Sequence, residues 1–286
     1  MSMSLFDYIS QENLDDYLSL VFEEDFKDRG DITTEPIFAD DTDIIEGKVI
    51  AKEEGIVAGI ELFDYVLHRL DDKAQLKIVN GDGSKVVPGD QILRVSSTLS
   101  YLLKAERICL NFLGKMSGIA TTTFNMVETI KGTRCNILDT RKTTPGLRFM
   151  EKYAVKVGGG VNHRMGLYDQ IIIKDNHIDG AGGISNCINR VRSAWGDKYR
   201  IIVETRSLTE VKEARDLKVD RILLDNMSTE TIREAVKEIA GQIPLEASGN
   251  ITLENAKEYA ETGIDYISTS YVTMQARPLD ISLVLE

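Results

Sequence analysis

Three cations, Arg141, Arg164 and Lys174, stand beside apolar runs that read as buried strands. A cation in such a place needs an anionic partner, and arginine's planar fork suits a carboxylate or phosphate bidentately. An anionic small ligand is the chemistry this implies. From Asp139 to Lys174 there are seven Lys and Arg against three acids, a local +4 in a chain of net charge -12. Arg148, Lys152 and Lys156 recur every four residues, and their plain reading is one solvated helix face. His163, beside Arg164, is a candidate ligand contact. His177, in Lys174-Asp175-Asn176-His177, reads equally well as an orienting loop residue, and His68 as structural.

Two carboxylates, Glu204 and Asp225, end separate apolar runs. They suit sugar hydroxyls or a magnesium ion, with structural hydrogen bonding as the alternative. Ser248-Gly249-Asn250 and Ser268-Thr269-Ser270 supply hydroxyls and backbone N–H groups before helix starts, which suits a phosphate monoester or a plain helix cap. Gly158-Gly159-Gly160 permits close backbone approach to a ligand or a tight turn. Neither GxGxxG after a strand nor GxxxxGK[ST] occurs, so dinucleotide and P-loop sites lack support. Arg107 stands apart, on an apolar helix whose next seven residues, Ile108 to Gly114, are uncharged. Its neighbour Glu106 cannot share its face at spacing one. An ion pair elsewhere or an anion-binding role, reaching across a subunit boundary, remains.

The elements that must hold these residues change character along the chain. Asn13 to Phe26 has helical spacing, and Asp31 to Thr34 reads as a turn. Ile45 to about Ser97 is a strand-rich module broken by Gly and Asp turns. Its Gly81-Asp82-Gly83 and Pro88-Gly89-Asp90 resemble lipoyl-type turns, but no apolar-flanked Lys sits at a tip. Thr98 to Ile130 reads as one buried helix. Apolar runs then recur at 136–139, 154–157, 170–174, 200–204, 221–225, 244–247 and 265–269, with amphipathic helices over 208–217, 229–240 and 253–262. Seven strands alternating with helices imply a parallel α/β architecture. The polar residues ending most of them favour a barrel, where strand ends converge on one mouth, over an open sheet. Gly180 to Gly183 reads as a mobile segment.

Composition excludes several classes. The 42% hydrophobic and 28% charged residues describe a globular chain, and an acidic balance disfavours nucleic acid. No apolar run reaches the roughly 18 residues of a membrane span. The opening MSMSLFDYIS lacks a secretory pattern, so a cytoplasmic location is expected. Cys109, Cys135 and Cys187 show no pairing motif and read as buried thiols.

The segments ERICLNFLGKMSGIAT, DTRKTTPGLRFMEKYAVKVGGGVNHRMGLYDQIIIKDNHI, VETRSL, ILLDNM, EASGNITLEN and GIDYISTS closely resemble the quinolinate phosphoribosyltransferase family over essentially the whole chain. The resemblance implies an α+β sandwich domain over 1–114 and a seven-stranded α/β barrel over 115–286, the last residues packing back on the first domain. It implies transfer of phosphoribosyl from phosphoribosyl pyrophosphate to quinolinate with loss of CO2, giving nicotinate mononucleotide for NAD synthesis, with Mg2+ required. By motif, Arg141, His163, Arg164 and Lys174 would bind the quinolinate carboxylates, with Arg107 entering from the partner of a homodimer; hexamers stay open. Lys142 would lie near the reacting centre, with Thr140 on the same loop. Glu204 and Asp225 would contact ribose and metal, and 248–250 and 268–270 the 5′-phosphate. The chain departs from the family at Asn250, often Gly, and at Met274-Gln275, often His-Ser. A same-fold paralogue of molybdenum-transport operons, a nicotinate-specific transferase and a non-catalytic sensor of anionic metabolites are the rival readings.

Overall fold

Short Ile- and Val-rich runs favour strands and longer amphipathic ones helices, and a computed structural model, describing residues 3–40 and 42–286, shows both. The chain forms two compact units, interleaved in sequence.

The first unit contains residues up to Thr122 together with 144–158 and 276–286. In it α1 (Gln11–Phe26) starts at Ser10, whose Oγ accepts from the Asn13 N–H, and buries Leu14 and Leu18. Asp31 Oδ1 accepts from the Thr33 and Thr34 N–H groups (3.0 and 2.9 Å), forming the expected turn ahead of α2 (Thr34–Ile37). There follow β1 (Ile44–Ala51), β2 (Gly55–Ile56), α3 (Ile60–Leu70), β3 (Gln75–Ile78), β4 (Lys85–Val86) and β5 (Gln91–Thr98). The long α4 (Leu99–Thr129) begins in this unit, which also holds α5 (Arg148–Val157) and β12 (Ile281–Leu285). An antiparallel sheet runs β12-β1-β5-β3, so the chain's last strand lies on β1, Ala51 opposite Ile281. The sequence boundary expected after Gly114 falls inside α4.

Two expectations change here. The run 154–157, read as a strand, is the end of α5. A four-residue apolar run fits strand and buried helix alike, and every residue from Phe149 to Val155 is buried. Nor is the Arg148, Lys152, Lys156 row a solvated face: Lys152 is fully buried, and of the three only Lys156 is exposed.

The second unit, 123–143 with 159–275, is built on parallel strands. They are β6 (Asn136–Leu138), β7 (Ile171–Ile173), β8 (Ile201–Thr205), β9 (Arg221–Asp225), β10 (Leu245–Ser248) and β11 (Tyr266–Ser268), in the order β6-β11-β10-β9-β8-β7. The helices are α6 (Asp175–Ala181), α7 (Ile184–Trp195), α8 (Leu208–Asp216), α9 (Thr229–Ile239), α10 (Ala256–Ala260) and α11 (Tyr271–Met274). Strands such as Ile171-Ile172-Ile173 and Ile222-Leu223-Leu224 are near-continuously apolar, as parallel strands covered on both faces require. The count is six named strands and one isolated parallel bridge, Leu138 to Val161, where seven strands were expected. In the segment 180–183, Gly180 and Ala181 lie within α6, while Gly182 (φ +78°) and Gly183 (φ +130°) form the turn to α7.

Two glycines on α4 admit the returning chain. A Cβ on Gly118 would lie 1.9 Å from the Arg277 carbonyl oxygen, and the Leu279 N–H donates to the Gly114 carbonyl (2.9 Å). Gly118→Ala should therefore lower unfolding stability by about 1–3 kcal/mol, read from urea midpoints. Gly180→Ala, on a helix with open space around it, should be neutral or gain up to about 1 kcal/mol.

Candidate active site

Each parallel strand hands the chain to a polar residue at its carboxyl end, and the register sets those ends side by side. Ser248 pairs with Asp225 on one side and with Ser268 on the other, and Ser268 pairs with Leu138. Around these ends lies one cavity of about 940 Å³. Thr140, Arg141 and Lys142 enter from the end of β6, Lys174 from β7, Glu204 from β8 and Asp225 from β9. The segments 248–250 and 268–270 line the same space, as do His163 and Arg164, which follow the Val161 bridge.

The cations are arranged against one another. Arg164 is buried, its Nη1 donating to the Gln170 carbonyl (2.9 Å). Burial, and then the charge of Arg141, push its guanidinium below the usual arginine value, with Asp169 opposing. Thr140 Oγ1 accepts from the Lys142 N–H (2.9 Å), and the Lys142 carbonyl accepts from Thr273 Oγ1 (2.8 Å), which shapes the loop after β6. Opposite charge enters with Glu204. Burial raises its carboxyl above the ordinary carboxylate value, Lys174 (Nζ to Oε2, 3.7 Å) pulls it down, and Asp225 and Asp175 add to the rise.

Asp225 accepts from Ser248 Oγ (2.9 Å) and Asn226 Nδ2 (2.7 Å). Asn226 and Asn250 both have left-handed backbone, φ +52° and +50°. Between them Gly249 is at φ +102°, where a Cβ would strike Asn226 Oδ1 at 2.1 Å. Asn250 thus takes a conformation in which Asn is tolerated beside Gly. The segment 248–250 does not directly precede a helix, since α10 begins only at Ala256, whereas Ser270 immediately precedes α11.

Two sequence candidates lie elsewhere. Arg107 does not line this cavity: its side chain is 70% exposed, 3.9 Å from Glu106 Oε1. The apolar helix suggested an ion pair elsewhere or an anion-binding role across a subunit boundary; Arg107 stands on an exposed face of α4, where flexible side chains let it approach the adjacent Glu106. With Lys104 and Asp31, Arg107 borders a smaller cavity of about 290 Å³ in the first unit. His177 is also outside, its Nδ1 accepting from the Lys174 N–H (3.0 Å) at the start of α6. His68 contacts the carbonyls of Asp64 and Ala74, a structural place.

Sequence reasoning missed two acids. Asp139 is fully buried and accepts from the His163 N–H (2.8 Å) and Asn162 Nδ2 (2.7 Å). Glu246, also fully buried, lies beneath the cavity with Oε1 3.4 Å from His163 Nε2 and Oε2 2.8 Å from Arg221 Nη1. A lone acid inside the run Pro244 to Ala247 was the available signal, because an unpaired buried carboxylate is costly.

A parallel α/β unit with cations, carboxylates and hydroxyls gathered at its strand ends defines an α/β protein with a charged cavity suited to an anionic ligand. The comparisons with known proteins narrow this. Residues 31–117 match the quinolinate phosphoribosyl transferase N-terminal domain and residues 119–284 the C-terminal domain. The chain belongs to the quinolinate phosphoribosyltransferase family. It is 40% identical over 254 residues to the probable nicotinate-nucleotide pyrophosphorylase [carboxylating] of Bacillus subtilis, covering 89% of this chain and 87% of that one. It is 40% identical to the chloroplastic nicotinate-nucleotide pyrophosphorylase [carboxylating] of Oryza sativa, covering 94% and 76%. The crystal structure of NadC from Streptococcus pyogenes superposes with a TM-score of 0.93 at 37% identity, over 100% of this chain and 99% of that one.

The raised Glu204 carboxyl has a consequence for stability. A group whose folded value lies above its unfolded one contributes stability that is complete below the unfolded value and lost as pH rises through the folded value. Wild-type protein without substrate should therefore lose stability relative to Glu204→Gln as pH rises from 4 to 8. Urea midpoints across that range check it; parallel curves for the two proteins would contradict it.

Proposed function

We propose that this chain joins quinolinate to phosphoribosyl pyrophosphate, releasing pyrophosphate and CO2 and giving nicotinate mononucleotide for de novo NAD synthesis. Family membership supports the reaction, and one observation carries it to this site: Arg141, Arg164 and Lys174 converge on a cavity that Glu204 and Asp225 also line. A buried guanidinium, Arg164, that feels the charge of the exposed Arg141 at the same cavity calls for a ligand with more than one negative charge, which a dicarboxylate supplies and a monocarboxylate does not.

In this reading Arg141, Arg164 and Lys174 hold the two carboxylates and aim the ring nitrogen at C1′. The nitrogen–C1′ bond forms as the C1′–oxygen bond breaks, its electron pair leaving on pyrophosphate. Positive charge building at C1′ is offset by the nearby carboxylates, and Lys142 faces the departing oxygens. The ring nitrogen, now positive, stabilises the electron pair left at C2 when the adjacent carboxylate departs as CO2, and a proton takes the vacated place. Ser248 to Asn250 and Ser268 to Ser270 receive the 5′-phosphate through hydroxyls and backbone N–H groups.

Magnesium fits the residues present as a substrate-borne ion. Among the described residues no cluster of three or more His, Cys, Asp or Glu could cage a metal, whereas a carboxylate pair with substrate phosphates is a common Mg2+ arrangement. Glu204 and Asp225 would hold it, and its charge would offset that of pyrophosphate. The Val161 bridge is read as a reduced seventh strand of an α/β barrel. The first domain is read as an α+β sandwich. A homodimer in which Arg107 serves the neighbouring site completes the proposal, consistent with its exposure on α4. A cytoplasmic setting accords with three free, buried cysteines.

Purified protein with phosphoribosyl pyrophosphate and Mg2+ should turn over quinolinate and not nicotinate, followed as mononucleotide and as CO2 from 2-carboxyl-labelled quinolinate. Arg164→Ala should lower kcat/KM for quinolinate by at least about 30-fold, since truncating one partner of a buried charge pair costs about 2–5 kcal/mol. Turnover with neither acid by folded protein would refute the reading. Inactive Arg107→Ala and Arg164→Ala proteins, mixed to exchange subunits, should regain about a quarter of wild-type activity, because each mixed dimer carries one complete site.

A further inference from the structure

The His163 ring has both nitrogens engaged in ways that fix its proton. Nδ1 accepts the backbone N–H of Arg164 at 2.7 Å, so that nitrogen bears no hydrogen and the ring proton sits on Nε2. Nε2 faces Glu246 Oε1 at 3.4 Å, a carboxylate oxygen with no completed hydrogen bond. The other oxygen of Glu246 is held by Arg221 at 2.8 Å, and the Arg221 guanidinium lies over the Tyr266 ring, 4.3 Å from its centroid. Burial alone would raise the Glu246 carboxyl. Its contacts with His163, Arg221 and Ser268 hold it below the usual value instead.

The groups form one chain of support: Tyr266 and Arg221 steady Glu246, Glu246 orients His163, and His163 Nδ1 holds the amide of Arg164. We infer that Glu246 is a positioning residue for the anion-binding guanidinium of Arg164, acting through His163 locked as its Nε2–H tautomer. His163 then adds no positive charge to the cationic wall. It sets where Arg164 stands, and Arg141, Arg164 and Lys174 supply the compensating charge. Asp139, accepting from the His163 backbone N–H, fixes the same residue from its other end. Hydrogen-bonding partners of this outer kind orient the groups that touch the ligand.

This inference rests on the proposed quinolinate site, and the test separates the two. In wild-type protein, nitrogen-15 NMR of His163 should show Nδ1 unprotonated and Nε2 protonated, a measurement that needs neither a variant nor turnover. Glu246→Gln should raise KM for quinolinate by about 10- to 100-fold while KM for phosphoribosyl pyrophosphate stays put. Adding Glu246→Gln to His163→Ala should cost nothing further, whereas adding it to Lys174→Ala should multiply the two losses. A protonated Nδ1 in the wild type would overturn the inference even if Glu246→Gln failed to fold. So would an unchanged KM for quinolinate, or equal rises in both KM values with lost stability, which is what a merely structural carboxylate gives. Absent quinolinate turnover in the wild type would instead overturn the functional reading, leaving the ring assignment to the spectrum.

Discussion

Arg141 and Arg164 repel each other, and the fold holds both at one cavity. Burial and that repulsion together lower the proton affinity of the Arg164 guanidinium. Holding a buried guanidinium beside a second cation is unfavourable, so the surrounding structure must hold Arg164 in place. The Gln170 carbonyl on Nη1 and the His163 ring on the backbone amide do this for Arg164. Glu204 is the counterpart of opposite sign: burial disfavours its partly buried carboxylate even with Lys174 3.7 Å away.

Rigidity of this kind comes from the parallel sheet. Short apolar strands, aligned so that Asp225, Ser248 and Ser268 end in register, turn chemically unlike residues from distant stretches of chain into neighbours. The loops leaving the strands are themselves braced, Thr140 and Thr273 holding the Lys142 backbone from two sides. Backbone conformation contributes too. Asn226, Gly249 and Asn250 all lie in left-handed space, and the clearance between Gly249 and Asn226 leaves no room for a side chain at 249.

The first unit depends on a different device. Gly114 and Gly118, one turn apart on α4, let the segment 277–279 approach the helix backbone, and β12 then pairs with β1. The two glycines read in sequence as unremarkable helix positions, because their use depends on a segment about 160 residues away. The buried row on α5 was equally hidden: Glu151 and Lys152 look like solvent-facing charges, yet both are buried, Glu151 beside Lys115 at 3.5 Å.

Much was nonetheless written in the sequence. Strand identity followed from apolar runs, the long α4 from its all-round apolar pattern, and the candidate site from charge placed where a strand should end, since desolvating Arg164 or Glu204 without use is costly. What sequence periodicity lacked was depth and proximity. It took Ala154 to Val157 for a strand and the Arg148, Lys152, Lys156 row for a solvated face, because a short apolar stretch does not say which face the fold covers. It passed over Glu246 and Asp139, whose importance lies in partners such as Arg221 and His163 that are tens of residues away. Residue chemistry determined that the chain carries a cluster of cations at strand ends. Only the tertiary structure decided which of them share one cavity, because hydrogen-bond direction and burial are properties of neighbours in space.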